Sequence, residues 1–476
     1  MGRLVIVSLA LSLLSTMAHA LPAFARQTGQ NCVACHAGGQ FPELTPYGRL
    51  FKMTGYTIGE RATIPLSVMA VGSYAKVRNT SKSDDPSVDF YKNGSAIVAS
   101  GSLFLAGKVT DNIGVFIQAT YDNYSQDAAG NYHGHTQADN MDLRYADRFI
   151  SADHDLILGV SANNNPSVTD PWNTAPAWMQ YVPGASVTSH QFFDGPYPAY
   201  GAGTNLAGIT AYAYWNKTIY AEFGLYRSAD NAFNFMSAGT DKTQLNGTNP
   251  YWRLAYTHDW GANSLMLGTS GMVANVYDAG SNMADSNNLG RFRNIGFDGQ
   301  YQYLLDPHTV TVQVGYMRQK QEYSANTLAA AASPYFLADG VTPVDAANPS
   351  DTTNALRAKL TYVYQAKYGG SLSYFNVTGT ANTLNQTSGY DSTGLISSTD
   401  PNETGITSTR VNGNLSGNPA TRGYTLEAFW TPLQYVRIGA QYTGYNKFNG
   451  ATNNYDGLGR DAKDNNTLRL YIWAAY

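Results

Sequence analysis

Charge is scarce in this chain. Asp, Glu, Lys and Arg make up 13% of its 476 residues, about half the share of an ordinary soluble domain, so a large water-facing surface of the usual kind is excluded. Long apolar runs are missing too. Beyond residue 20, no stretch reaches the roughly 18 apolar residues that a membrane-spanning helix requires, which excludes a helical bundle in lipid. A formal net charge of −4 provides no basic surface, so nucleic acid is not an expected partner. Cysteine is confined to Cys32 and Cys35, which leaves no disulfide framework to hold the fold.

What the chain has instead is tyrosine and glycine, 35 and 46 residues, and an alternation of apolar and polar positions from residue 63 to 476. Val115, Ile117, Ala119 and Tyr121 share one face of an extended segment, with Gln118 and Thr120 on the other. Leu426 and Ala428 oppose Thr425 and Glu427; Val436, Ile438, Ala440 and Tyr442 oppose Arg437, Gln441 and Thr443. About 16 such segments can be marked, starting near residues 65, 95, 112, 140, 153, 206, 217, 250, 262, 289, 308, 354, 369, 422, 434 and 466. Short connections fall at Thr110-Asp111-Asn112, Trp215-Asn216-Lys217, Asp259-Trp260-Gly261, Asp306-Pro307-His308 and Thr431-Pro432, with long polar ones between them.

This is the pattern of an all-β, antiparallel transmembrane barrel of about 16 strands. The last strand, Leu468–Tyr476, places Leu468, Leu470, Ile472, Ala474 and Tyr476 toward lipid. A soluble β-sandwich also alternates, but with more surface charge and shorter loops. Arg3, the apolar run Leu4–Leu14 and Ala18-His19-Ala20 form a signal peptide over residues 1–20, with Ala23-Phe24 as a second cleavage region. The expected location is the outer membrane of a Gram-negative bacterium, with membrane lipid as a partner and both chain ends on the periplasmic side.

Before the barrel comes the chemistry. Cys32-Val33-Ala34-Cys35-His36 has the spacing for covalent attachment of one c-type haem. Each thiol forms a thioether, and the adjacent imidazole becomes the proximal iron ligand. The competing reading, a C-x-x-C redox disulfide, needs a βαβ setting that these residues lack. One short helix follows, with Thr45 as N-cap, Pro46 first and Gly55 closing it; Tyr47, Leu50, Phe51 and Thr54 share a face. Met53, on that helix, is the candidate distal ligand, with apolar packing as its alternative. Arg49 and Lys52 are candidates for the haem propionates, with plain solvation as theirs. Residues 21–62 cannot enclose a haem alone, because the core is too small. The segment must plug the barrel 63–476 or dock at its mouth.

Sixteen strands leave a channel. Arg253, Arg357, Lys359, Glu427, Arg437 and Arg469 fall on its expected lumen face. The long connection 162–205, rich in Pro and aromatics, is expected to fold inward as a constriction. His133 and His135 with Asp127, Asp139 and Asp142 are read as solvated loop polarity, with a surface metal site as the alternative, and 381–421 as an outer loop.

Phe24-Ala25-Arg26-Gln27-Thr28-Gly29, the haem motif, Phe41-Pro42, and Gly48-Arg49 through Phe51-Lys52 with Gly55-Tyr56-Thr57 resemble the N-terminus of the fused outer-membrane cytochrome–porins. That family includes Fe(II) oxidases of iron-oxidising bacteria. The resemblance implies a mono-haem segment ahead of a porin-like barrel. It also implies electron transfer across the outer membrane between an extracellular donor such as Fe(II) and periplasmic c-type cytochromes, an Fe(II):cytochrome c oxidoreductase if iron is the donor. The chain departs from iron-oxidising members at Ala37-Gly38-Gly39-Gln40, where an aromatic and a further polar or His residue are common. A diffusion porin for ions or small solutes, with the haem segment as gate or sensor, is the other functional class.

Overall fold

The computed structural model describes residues 22–39, 43–79, 93–126, 132–174, 205–237, 244–278, 281–331, 335–337, 348–382, 395–397, 418–455 and 459–476. The strands run β1 (Leu66–Val77), β2 (Ser95–Lys108), β3 (Ile113–Gln126), β4 (Tyr132–Ile150), β5 (Asp155–Asn163) and β6 (Leu206–Trp215). Next come β7 (Ile219–Ser228), β8 (Asn249–Trp260), β9 (Asn263–Tyr277), β10 (Leu289–Leu305), β11 (His308–Glu322) and β12 (Tyr335–Leu337). The last are β13 (Ser350–Tyr364), β14 (Tyr368–Gly379), β15 (Leu395–Ser397), β16 (Thr421–Leu433), β17 (Val436–Lys447) and β18 (Thr467–Ala475). All but β12 and β15, which pair with each other, close into one barrel of 16 strands. The seam is antiparallel, from Met69↔Ala475 to Val77↔Thr467.

Closure satisfies every strand edge, and the alternation decides which face is which. On β18, Leu468, Leu470 and Ile472 are 41, 46 and 48% exposed, whereas Thr467 and Arg469 are buried toward the lumen. Leu103, Leu143, Leu158, Ile209, Phe223, Leu254, Leu267, Phe297, Leu360 and Leu426 continue the outward apolar belt around the barrel. Tyrosine and glycine are linked through register. Gly159 pairs with Tyr212 and Gly439 with Tyr471, and a Cβ at either glycine would overlap the facing ring. Gly208–Tyr226, Gly369–Phe429 and Gly444–Tyr424 repeat the arrangement.

Seven short connections lie at one end: 109–112, 151–154, 216–218, 261–262, 306–307, 365–367 and 434–435. The start of β1 and the end of β18 are at that same end. The turn expected at Thr431-Pro432 lies instead at Gln434-Tyr435. The ladder shifts register between Trp430 and Leu433, and this irregularity accommodates Pro432, which has no N–H to give. Strand β4 begins at Tyr132 rather than near 140, so His133, His135 and Asp139 stand on a strand and not in a loop. Outward positions beyond the apolar belt are polar, which erases the alternation that marks a strand.

The N-terminal segment lies inside the barrel at the short-turn end. Its helices are α1 (Pro22–Thr28), α2 (Cys32–Cys35) and α3 (Pro46–Met53). If the belt faces lipid, Leu470→Arg should cost about 2–4 kcal/mol of folding free energy. Leu470→Phe should be close to neutral. Urea titration of the barrel in lipid vesicles measures both.

Candidate functional site

The segment is tied to the barrel from its first helix. Ala23 N donates to Ser67 Oγ at 2.9 Å, and Arg26 Nη2 to the Leu66 carbonyl at 2.5 Å. The Gln27 amide bridges three backbones: Oε1 accepts from Lys108 N at 2.8 Å, and Nε2 donates to the Tyr56 and Ile58 carbonyls at 2.6 and 2.9 Å. Phe24 packs edge-on to Phe51 and stacks on Tyr56, and both Phe24 and Tyr56 reach Phe116 of the wall.

The single turn of α2 brings Cys32, Cys35 and His36 together. His36 N donates to the Cys32 carbonyl at 2.8 Å, and Thr45 N to the Cys35 carbonyl at 2.9 Å. His36 also forms a β-bridge with Leu44. A Cβ on Gly48 would collide with the Cys35 carbonyl, so only glycine lets α3 pack this closely on the motif. Cys32 is buried, and its thiol donates to the backbone and side-chain oxygens of Gln434, each at 3.4 Å. Gly38 lies against Val363, and the Glu43 carboxylate accepts from Lys359 Nζ at 2.9 Å. The motif therefore faces the β13–β17 side of the lumen.

Burial sets the state of these groups. It pulls the His36 imidazole down to about 4, against the Glu43 carboxylate and carbonyl, which raise it. The ring is thus neutral at physiological pH, the form that binds metals. Burial also pushes the Cys35 thiol up to about 11, with Cys32 adding to the shift.

Helix α3 begins as its sequence suggests. Thr45 caps it, its side chain accepting from Gly48 N at 3.1 Å, and Gly55 ends it with φ +73°. Of the expected apolar face, Phe51 joins the aromatic cluster and Leu50 packs beside Met53. Arg49 and Lys52 are neither solvated nor directed at the motif; both are buried and committed to the barrel. Arg49 donates to the Leu44 carbonyl, Gln302 and Ser264 at 2.9, 2.8 and 2.6 Å, and Lys52 Nζ to the Asp170 carbonyl at 2.7 Å. Gly48, Arg49, Phe51, Lys52 and Met53 make up the buried side of the helix, and cations on that side need wall partners. Burial lowers Arg49 to about 10 and Lys52 to about 8, the neighbouring Arg144 contributing to the second. Met53 is 2% exposed, among Ile157, Trp172, Tyr212, Tyr220 and Met266. Among the described residues that cluster contains no part of the Cys32–His36 motif.

Two charged clamps hold this side. Asp142 and Arg144 are fully buried and paired at 2.6 Å. Tyr56 Oη donates to Asp142 at 2.6 Å, and Arg144 Nη1 to the Lys52 carbonyl at 3.3 Å. Residues 164–174 fold into the lumen as expected of this connection; 175–204 lie outside the described residues. Asp170 in this inward loop and Asp298 on β10 both pair with Arg253, at 3.1 and 2.8 Å, and Trp172 lies under its guanidinium. Sequence reasoning placed Arg253 but missed Gln27, Asp170, Trp172 and Gln302, single residues that stand out only once the chain has folded.

The other expected lumen charges, Arg357, Lys359, Glu427, Arg437 and Arg469, all face inward and are buried or nearly so. Asp142, expected to be loop polarity, is a core ion-pair partner. Asp127 and the His133 side chain lie outside the described residues, and His135 pairs with Gln137 at 3.3 Å. Among the described residues no group of three or more His, Cys, Asp or Glu could hold a metal ion.

No family model and no curated protein matches the chain. Among solved structures it is similar to OmpF of Salmonella typhi in complex with daunomycin, with 12% identity, TM-score 0.43, and 86% of this chain and 97% of that one covered. The outer membrane channel DcaP of Acinetobacter baumannii gives 10%, 0.44, 86% and 96%. An anion-selective porin from Comamonas acidovorans gives 10%, 0.43, 86% and 98%.

Removing one partner of a fully buried ion pair strands the other. Arg144→Met should therefore cost about 3–5 kcal/mol and expose the segment 22–62 to added protease while the barrel resists it. Limited proteolysis followed by mass spectrometry reads the cleavage sites.

Proposed function

We propose that this chain is an outer-membrane barrel carrying one covalent c-type haem in its N-terminal plug. It passes electrons between an extracellular donor, Fe(II) among the candidates, and a periplasmic c-type cytochrome. The observation that carries this reading is the seating of Cys32-Val33-Ala34-Cys35-His36 within the lumen at the short-turn end, where β1 begins and β18 ends. Both thiols and a neutral imidazole meet on one helical turn, which fits the donor set of a c-type haem. Cys32 and Cys35 would hold the group by thioethers, and His36 would bind its iron. When bound, haem supplies reversible one-electron chemistry, its potential set by axial ligand and burial. The chain's own part is to bury the Cys32 thiol, fix the motif through Gln434, Thr45 and Gly48, and close the plug against the wall.

The diffusion-porin reading is favoured by one observation. The lumen wall from β13 to β18 is lined with charge and amide, including Arg357, Glu427, Arg437, Gln441 and Arg469, as an aqueous passage would be. Conductance in planar bilayers separates the two: a plugged conduit passes little current, and a porin with a gating segment passes ions freely.

The primary test is stopped-flow visible absorbance of the oxidised protein mixed with Fe(II) at acid and neutral pH. Rapid reduction is expected. A haem inert to Fe(II) but reducible by other donors removes iron from the proposal. Cys35→Ala should lose the two-thioether chromophore. Met53→Leu, which keeps the apolar packing, tests distal ligation; given its neighbours, the expected result is an unchanged spectrum, and an altered one would mark Met53 as a ligand.

A further inference from the structure

We propose that Arg437 and Trp473 together receive a carboxylate of the plug's haem, a propionate, and act as positioning residues for it; this rests on the haem reading above. The two are direct cross-strand partners on β17 and β18, so their side chains leave the same face of the sheet, the one turned to the lumen. Arg437 Nε and Trp473 Nε1 are both buried, and neither has a hydrogen-bond partner among the described residues. A buried N–H without an acceptor carries an uncompensated desolvation cost, and here two such donors belong to residues paired directly across the ladder.

Their orientation is fixed by other atoms. Arg437 Nη2 donates to Glu427 Oε1 at 2.9 Å, and its guanidinium carbon sits 3.9 Å from the Phe429 ring centroid. Glu427 is itself held by Tyr471, Ser371 and Gln441, at 2.5, 2.9 and 3.2 Å. Trp473 packs beside Met69, Phe104 and Ala475. Tyr471 also stands against the guanidinium, its ring centroid 5.8 Å from the guanidinium carbon, and Nε has no hydrogen-bond partner among the described residues.

The same corner touches the motif. Gln434, which takes the Cys32 thiol hydrogen bond, is in the turn that leads directly into β17. Glu43 is close enough to Arg437 to act on it electrostatically, and its carbonyl accepts from Ala37 N, next to His36, at 2.9 Å. A porphyrin attached at Cys32 and Cys35 would carry its two carboxylates on the edge opposite the thioethers, so their partners are expected on the wall beyond the motif and not at the thiols themselves. The cations nearest in sequence, Arg26, Arg49 and Lys52, are spent on the wall. Arg437 and Trp473 would offer such a carboxylate a charge-assisted donor and a neutral one.

The test is spectroscopic redox titration of the purified full-length protein with Arg437→Gln, Arg437→Lys and Trp473→Phe. A pyridine haemochrome spectrum comes first: absence of covalent haem in the unmodified protein would end the reading beneath the proposal, not the proposal alone. With haem present, Arg437→Gln should lower the midpoint by the equivalent of a tenfold change in the reduction equilibrium, about 59 mV for one electron. A cation near the haem favours the less positive, reduced state, which sets the sign. Arg437→Lys should recover most of the loss. Trp473→Phe, which keeps the ring and removes only the N–H, should shift the midpoint the same way by less, and it carries the test if Arg437→Gln fails to fold. Covalent haem with an unmoved midpoint in Arg437→Gln and Trp473→Phe overturns the proposal. An unmoved midpoint with altered chloride permeability overturns it as well, and assigns the pair to a permeating anion.

Discussion

A ring of 16 strands encloses more volume than its inward side chains fill. A segment of some forty residues, for its part, buries too little to fold alone. Each deficiency is made good by the other. Because the lumen is polar, the plug cannot be held by apolar contact only, and its amides and cations have to find partners on the wall. Gln27, Arg49, Lys52 and Tyr56 each do so, on strands or loops spread around the barrel.

Buried ion pairs are expensive to desolvate, and their net contribution to stability is often small. What they supply here is a single arrangement. Arg253 links the inward loop, through Asp170, to β10, through Asp298. Lys52 joins the plug to that same Asp170 by its carbonyl. Arg144 reaches across from Asp142 to the Lys52 carbonyl. Plug, loop and wall therefore share one polar lattice, and a shift of any one leaves a charge unpaired in the other two.

Most of the barrel was legible because lipid on one side and water on the other impose a period-two code on each strand. The starts of β2, β6, β10 and β11 coincide with the expected positions 95, 206, 289 and 308. The code fails where its cause is missing. Above the apolar belt β4 is polar on both faces and reads as loop, and at Pro432 a bulge imitates a turn. The capped helix α3 was legible from Thr45, Pro46 and Gly55, since caps are local. Arg49 and Lys52 were not, because their partners Gln302, Ser264 and Asp170 are more than a hundred residues away in the chain. The same distance hid Arg437 and Trp473 as a pair, which only the closing of β17 on β18 brings side by side.

Residues 57–65, nine in all, join the plug to β1. At about 3.3–3.6 Å per extended residue, this tether keeps an undocked plug within roughly 30 Å of its seat. The plug is then an intramolecular ligand, presented to the lumen at an effective concentration on the order of millimolar for a short flexible link. Its occupancy is set by the strength of the polar lattice against that fixed concentration, and so is the same however many copies of the protein the membrane holds.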